Sequence, residues 1–196
     1  MIEVVDASRT IDITDHGDGP VAWGLTPKGL RVELVPYDED RDVDAPSEYD
    51  DWPAGAREQP TGLGRLLDEL ADVNGVSAVA GQVTWHRECY GPNPGSRAWN
   101  IGIGLSPGTR GHGVGGVAQR LLAEWLLDTT DVDRIEASTD VENVAEQRAL
   151  EKAGFVQEGI LRSAQERLDG RHDLFSYSLL REEVDADRRR LEASRR

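Results

Sequence analysis

The stretch RAWNIGIGLSPGTRGHGVGGVAQRLL, residues 97–122, constrains the fold more than any other part of the chain. Its first nine residues, thinned by Gly102 and Gly104, predict a strand over 97–105 that a ligand or another backbone can approach closely. Pro107 ends that strand and five glycines follow. A helix is then predicted from Gly113 to about Leu127, with Val117, Ala118, Leu121, Leu122 and Trp125 as its apolar face. Strand, glycine turn and helix in this order aim several backbone N–H groups and the positive end of the helix at one point. An anion belongs at such a point.

Charge supports this. The 196 residues hold 37 Asp and Glu against 22 Lys and Arg, a net charge of −15. Yet no acid occurs from Cys89 to Ala123, where an even spread would place roughly seven. Carboxylates within a Debye length, about 8 to 10 Å, would repel a dense anion such as pyrophosphate, so the gap reads as a phosphate site. The excess acid is concentrated in residues 1–60, with fifteen acids and five bases. This balance argues against nucleic acid and anionic membranes as partners and favours cationic ones.

The length suits a single domain with a substantial core. No apolar run reaches the roughly 18 to 20 residues of a membrane span, and the N-terminus lacks the basic-then-apolar order of a signal peptide, so a cytoplasmic protein is expected. Cys89 is the single cysteine, and with His86 it supplies half a metal site at most, so no metal is expected.

Residues 1–29 mix the strand-like TIDIT with turn formers and read as an arm or added strand. LRVELVPY (30–37) predicts a strand, and the eight acids from Asp38 to Asp51 a loop or short helix. In TGLGRLLDELADVNG, Leu63, Leu66, Leu67, Leu70 and Val73 fall at helical spacing and predict an amphipathic helix ending at Asn74 and Gly75. VSAVAGQVTWH and DRIEAST (133–139) predict strands. ENVAEQRALEKAGF predicts a helix closed by Gly154 in the left-handed conformation, with Phe155 folding back. VQEGILRSAQERL and HDLFSYSLL form a closing hairpin, and residues 182–196 a charged helix or tail.

Gly111, Gly113 and Gly116 satisfy GxGxxG, and Asp140 ends the next strand, as in a dinucleotide-binding fold. Against that, SPGTR separates the strand from the first glycine, and the residues that remain are too few for a doubly wound sheet with a substrate domain.

Read as Arg110, two spacers, Gly113, one spacer, Gly115, the same turn resembles the (R/Q)xxGx(G/A) loop of the GNAT N-acetyltransferase superfamily. ENVAEQRALEKAGFVQEGILR resembles the Asn-led helix and following strand of its ribosomal-protein alanine acetyltransferase branch. The resemblance covers residues 76–180, within a catalytic domain placed at 30–181. It implies a mixed α/β, largely antiparallel sheet with helices on both faces and splayed central strands. It also implies acetyl-CoA as co-substrate: Arg110, Gly111, His112, Gly113, Val114 and Gly115 around the pyrophosphate, Leu105 at the thioester and Asn143 at the pantetheine. The activity implied is direct acetyl transfer to a primary amine, a small molecule or a protein N-terminus.

The chain departs from the family's habits where protons move. Asn100 stands where relatives often carry a strand Glu, Leu150 where many have a Tyr, and Glu146 where the ribosomal branch has a Ser. Glu146 is a candidate base, but Asn143 followed by Glu146 three residues later is also a capping box. His172 is the other candidate, with a pKa range suited to proton transfer. Tyr49, Asp50, Asp51 and Trp52 fall where the superfamily lines its acceptor groove and would attract a cationic amine, although a solvated acidic loop has the same composition. The missing acid and base also leave room for a CoA-binding sensor without turnover, and homodimerisation is left open.

Overall fold

A computed structural model describes residues 19–55, 63–71 and 77–195. TIDIT, Val73, Asn74 and Gly75 lie outside the described residues. Eight strands form one sheet in the order β1-β2-β3-β4-β5-β6-β8-β7. They are β1 Ala22–Leu25, β2 Arg31–Pro36, β3 Gly64–Ala71, β4 Ser77–Cys89, β5 Arg97–Leu105, β6 Arg134–Asp140, β7 Val156–Arg167 and β8 Gly170–Leu180. Every neighbouring pair is antiparallel except β5 with β6, which is parallel. A single parallel pair cannot build the doubly wound sheet that the GxGxxG spacing imitates.

The helices are α1 Val114–Thr129, α2 Val144–Ala153 and α3 Arg181–Ser194. A Cβ at Gly24 would touch Val117 and Leu121, and Trp85 packs edge-on against Trp125 at 5.3 Å, so α1 lies on the sheet face that holds Val32, Leu34 and Val83. Gly116 lets α2 come close: a Cβ there would stand 3.2 Å from the carbonyl oxygen of Ala149. Arg120 of α1 reaches both the Ala153 carbonyl and Asp187 of α3, and Arg188 of α3 pairs with Glu124 and Asp128 of α1. α1 thus contacts both α2 and α3. The other face carries the segment 38–52 over β4 and β5, a loop with a 3-10 turn at Glu39–Arg41.

The predicted helix over TGLGRLLDELADVNG is a strand, β3. Leu66, Leu67, Asp68 and Glu69 are all buried, so both faces of β3 are covered and apolar residues of either parity are needed. That requirement produces i, i+3, i+4 spacing without a helix. β1 lies within residues 1–29 but beyond TIDIT, and Arg181–Ser194 of the charged C-terminal stretch form α3. Gly154 has φ 93° and Phe155 N–H returns to the Leu150 carbonyl, which is the predicted helix stop.

Candidate active site

β5 and β6 pair only from Trp99 to Ile101 and from Ile135 to Ala137. Beyond that both strands continue, to Leu105 and Asp140, without pairing to each other. The sheet therefore opens between them. β5 leads into the glycine turn and β6 into the turn before α2, so both turns border the opening.

The glycine turn is built by two residues that L side chains would strain, Gly111 at φ 75° and Gly113 at φ 86°. Gly113 is the N-cap of α1 and supplies no side chain, and the first turn of α1 contains no acid. The N–H groups of Val114, Gly115 and Gly116 precede the first α-helical bond, from Val117 to Gly113, and are free to meet an anion. His112 is exposed in this turn. Arg110 folds back instead: its Nε and Nη2 donate to the Leu105 carbonyl at 3.0 and 2.8 Å, and Nη2 also donates to the Pro46 carbonyl. It ties the end of β5 to the acidic segment.

On the face of β5 away from α1 lies a groove of about 610 Å³ lined by Asp42, Val43, Asp44, Ala45, Asp50, Gln82, Thr84, Gly102, Ile103 and Gly104. Asn100, half-buried, stands two residues before Gly102 on the same strand. Of the four acceptor residues expected, Asp50 lines this groove. Tyr49 and Asp51 face the closing hairpin: the Arg167 guanidinium lies 5.4 Å over the Tyr49 ring, and Leu168 N–H donates to the Asp51 carbonyl at 3.0 Å. Trp52 is partly exposed at 37%. Asp42 and Asp44 are the acids that single-residue reasoning passed over, although they belong to the acidic block itself.

Asn143 is the N-cap of α2, its Oδ1 accepting from Glu146 N–H at 3.2 Å. The reciprocal half of a capping box is not made, because Asn143 N–H donates to the Asp140 carbonyl. The Glu146 carboxyl is therefore spared for another role. Burial pushes it up to about 7, and Gln119 of α1 partly offsets that rise. The two side chains interact without a formed hydrogen bond, since Gln119 Nε2 has no bonding partner. Gln119 in turn lies beside Gly115, whose Cβ position is 3.6 Å from Leu105. Glu146 thus stands near the meeting of the glycine turn with the end of β5.

His172 is engaged at both ring nitrogens, Nδ1 to Asp140 at 3.0 Å and Nε2 to Asp169 at 2.8 Å. The hydrogen bond with Asp169 raises its pKa against the opposing effect of burial, and Asp140 adds to the rise. So placed, both ring nitrogens are engaged by carboxylates, and neither is left open to a reacting amine.

The sequence over residues 31–156 matches the acetyltransferase (GNAT) domain model. The chain belongs to the GNAT acetyltransferase family. A GNAT-family acetyltransferase from Bacillus anthracis has TM-score 0.50 and 19% identity over 60% of this chain and 66% of its own. Mycobacterium smegmatis RimJ in complex with CoA-disulfide has TM-score 0.51 and 22% identity over 61% and 55%. A ribosomal-protein-S5-alanine acetyltransferase from Vibrio fischeri has TM-score 0.50 and 21% identity over 59% and 61%. This chain thus spans somewhat less than two thirds of those structures, and the likeness is one of fold. The curated proteins include no match. No helix among the described residues is long and apolar enough to cross a membrane, and no cluster of possible metal ligands occurs among them.

Proposed function

We propose that this protein transfers an acetyl group from acetyl-CoA to a cationic primary amine, a small molecule or a protein N-terminus. The observation that carries the reading is the opening between β5 and β6, which ends at an acid-free glycine turn on one side and adjoins a groove with three aspartates on the other. The residues fit the cofactor. Val114, Gly115 and Gly116 N–H groups, with Gly111, Arg110 and His112 around them, suit a pyrophosphate, and the unpaired edge of β5 up to Leu105 suits an extended pantetheine arm that bonds as an added strand. Asn143 reaches the same arm from the β6 side.

Acetyl-CoA supplies a thioester carbon that a neutral amine attacks directly, with release of the thiol. The chain's own part begins with the amine. An α-amine near pKa 7.7 to 8 is roughly a tenth neutral at pH 7, whereas a lysine ε-amine near 10.4 is neutral in well under a tenth of a percent. Glu146, with its carboxyl at about 7, is the base this reading assigns, since it exchanges a proton readily at working pH. Backbone N–H near Leu105 would hold the developing oxyanion. Asn100 takes no proton and would orient water or the acceptor. Asp42, Asp44 and Asp50 attract the ammonium form and concentrate it at the groove.

The test is calorimetric titration with acetyl-CoA, followed by thiol release across an alanine-initiated peptide, spermidine, a lysine-containing peptide and an aminoglycoside. Micromolar binding with turnover of at least one amine is expected. Absence of binding removes the reading, and binding with no turnover across a wide panel would make the protein a CoA sensor.

A further inference from the structure

The proposed cofactor-side turn and acceptor segment are joined through one buried carboxylate. Asp140 ends β6, and its side chain is 1% exposed. One oxygen accepts from Glu142 N–H at 2.7 Å, while the other meets Arg167 Nη2 at 2.9 Å and His172 Nδ1 at 3.0 Å. Its backbone carbonyl accepts from Asn143 N–H at 3.0 Å and from Gln147 Nε2 at 3.3 Å. The turn that presents Asn143 and Glu146 is thus set by Asp140, and the charge of Asp140 is balanced by two residues of the β7–β8 hairpin.

The same hairpin holds the acceptor segment. Arg167 lies over Tyr49, Tyr49 donates its hydroxyl to the Glu142 carbonyl at 3.3 Å, and Leu168 N–H donates to Asp51. A closed chain of contacts results, running Asp140, Arg167, Tyr49, Glu142 and back to Asp140. At this junction a buried donor, Arg167 Nε, and a buried acceptor, Asp51 Oδ1, are both without hydrogen-bond partners.

We propose that Asp140 and Arg167 are positioning residues that couple the acceptor segment 47–52 to the turn 140–143, so that a change on the acceptor side alters acetyl-CoA binding. The proposal rests on the reading of Asn143 as a cofactor contact. Coupling through such a packed, charged unit is worth roughly 5- to 150-fold in affinity. It acts through contact rather than through the reacting atoms, since Arg167 is itself 4% exposed.

The test titrates acetyl-CoA into the unaltered protein and into Tyr49→Leu, Arg167→Met, Arg167→Lys and the Tyr49→Leu/Arg167→Met double variant, each judged folded by its melting temperature. About tenfold weaker binding is expected for Tyr49→Leu and for Arg167→Met. The double variant is expected to bind no worse than Arg167→Met alone, and Arg167→Lys to recover part of the loss. Unchanged affinity in folded Tyr49→Leu, or losses that simply add in the double variant, overturns the coupling while leaving the cofactor reading in place. Should Arg167→Met fail to fold, Tyr49→Leu alone decides. Failure of the unaltered protein to bind acetyl-CoA overturns both.

Discussion

Asp68 offers a direct test of the β3 assignment. It sits in the strand opposite Leu34 on one side and Gly81 on the other, is fully buried, and neither carboxylate oxygen has a partner. Burial pushes its pKa from 3.8 up to about 8. The sign follows from proton counts. Between roughly pH 4 and pH 8 the folded chain keeps the Asp68 proton that the unfolded chain has released, so stability is fully present below the unfolded pKa and declines as pH rises towards 8. One proton corresponds to about 1.4 kcal/mol per pH unit, which accumulates to roughly 4 kcal/mol by pH 7. Asp68→Asn keeps the shape and cannot ionise. It is expected to be more stable than the unaltered protein at pH 7 and above, by an amount on the order of a few kcal/mol, with the difference closing towards pH 4.

Urea unfolding at pH 5, 6, 7 and 8 measures this. Glu146 and His172 also have raised values and push stability in the same direction with rising pH, so the informative quantity is the difference between the two proteins at each pH. A difference that grows with pH supports a neutral, buried Asp68. Parallel stability profiles, or a less stable Asp68→Asn at every pH, would refute it and with it the doubly covered β3.

Three further outcomes are expected. Glu146→Gln should lower kcat by at least about tenfold and remove the rise in kcat/KM centred near pH 7, as measured by thiol release; an unaltered profile would take the base role from Glu146. Gly113→Ala places a Cβ on a φ of 86° and 3.2 Å from Pro27, so it should cost about 1 to 2 kcal/mol of stability and weaken acetyl-CoA binding, seen by melting and calorimetry. Replacing Asp42, Asp44 and Asp50 together with Asn should raise KM for a cationic amine several-fold at low salt and much less at 0.5 M salt, with little effect on acetyl-CoA affinity.

What could be read from the sequence divides along a physical line. The β5 boundaries, the start of α1 and the Gly154 stop of α2 were legible because each is fixed locally, by a proline, a left-handed glycine or a cap. β3 was not, because a strand covered on both faces loses its alternation, and its leucines then satisfy a helical period as well as a strand's. The misread period concealed a residue too. On a helix Asp68 and Glu69 would point to solvent, whereas on the strand both are buried, and only then does Asp68 become a strained acid. The cluster of Asp140, Arg167 and His172 was invisible for another reason: its members come from three strands and meet only through the β6-β8-β7 order of the sheet. Gln119 hid inside an apolar helix face that needed no polar residue for its own sake.

The uneven charge of the chain acquires a spatial meaning once β5 is in place. The acid-free window from Cys89 to Ala123 contains β5, the glycine turn and the start of α1, while the acid-rich block is folded over the opposite face of the same strand. Under the proposed reaction, two substrates of opposite charge would need opposite fields on either side of one reacting centre, and water would screen neither field fully in a half-buried groove. Placing the acids on a separate segment solves this, provided that the segment is held against the strand and kept from the phosphate turn. Arg110 is suited to both: its guanidinium grips the Leu105 and Pro46 carbonyls, anchoring the acidic segment, and it brings a positive charge to the junction of that segment with the end of β5. On this account Arg110 serves the phosphate less as a direct ligand than as the cation that keeps the acidic block from repelling it. Arg110→Gln, which removes the charge, would then weaken acetyl-CoA binding at low salt in the unaltered protein and much less in the variant with Asp42, Asp44 and Asp50 replaced by Asn, whereas loss of a direct phosphate contact would cost the same in both backgrounds.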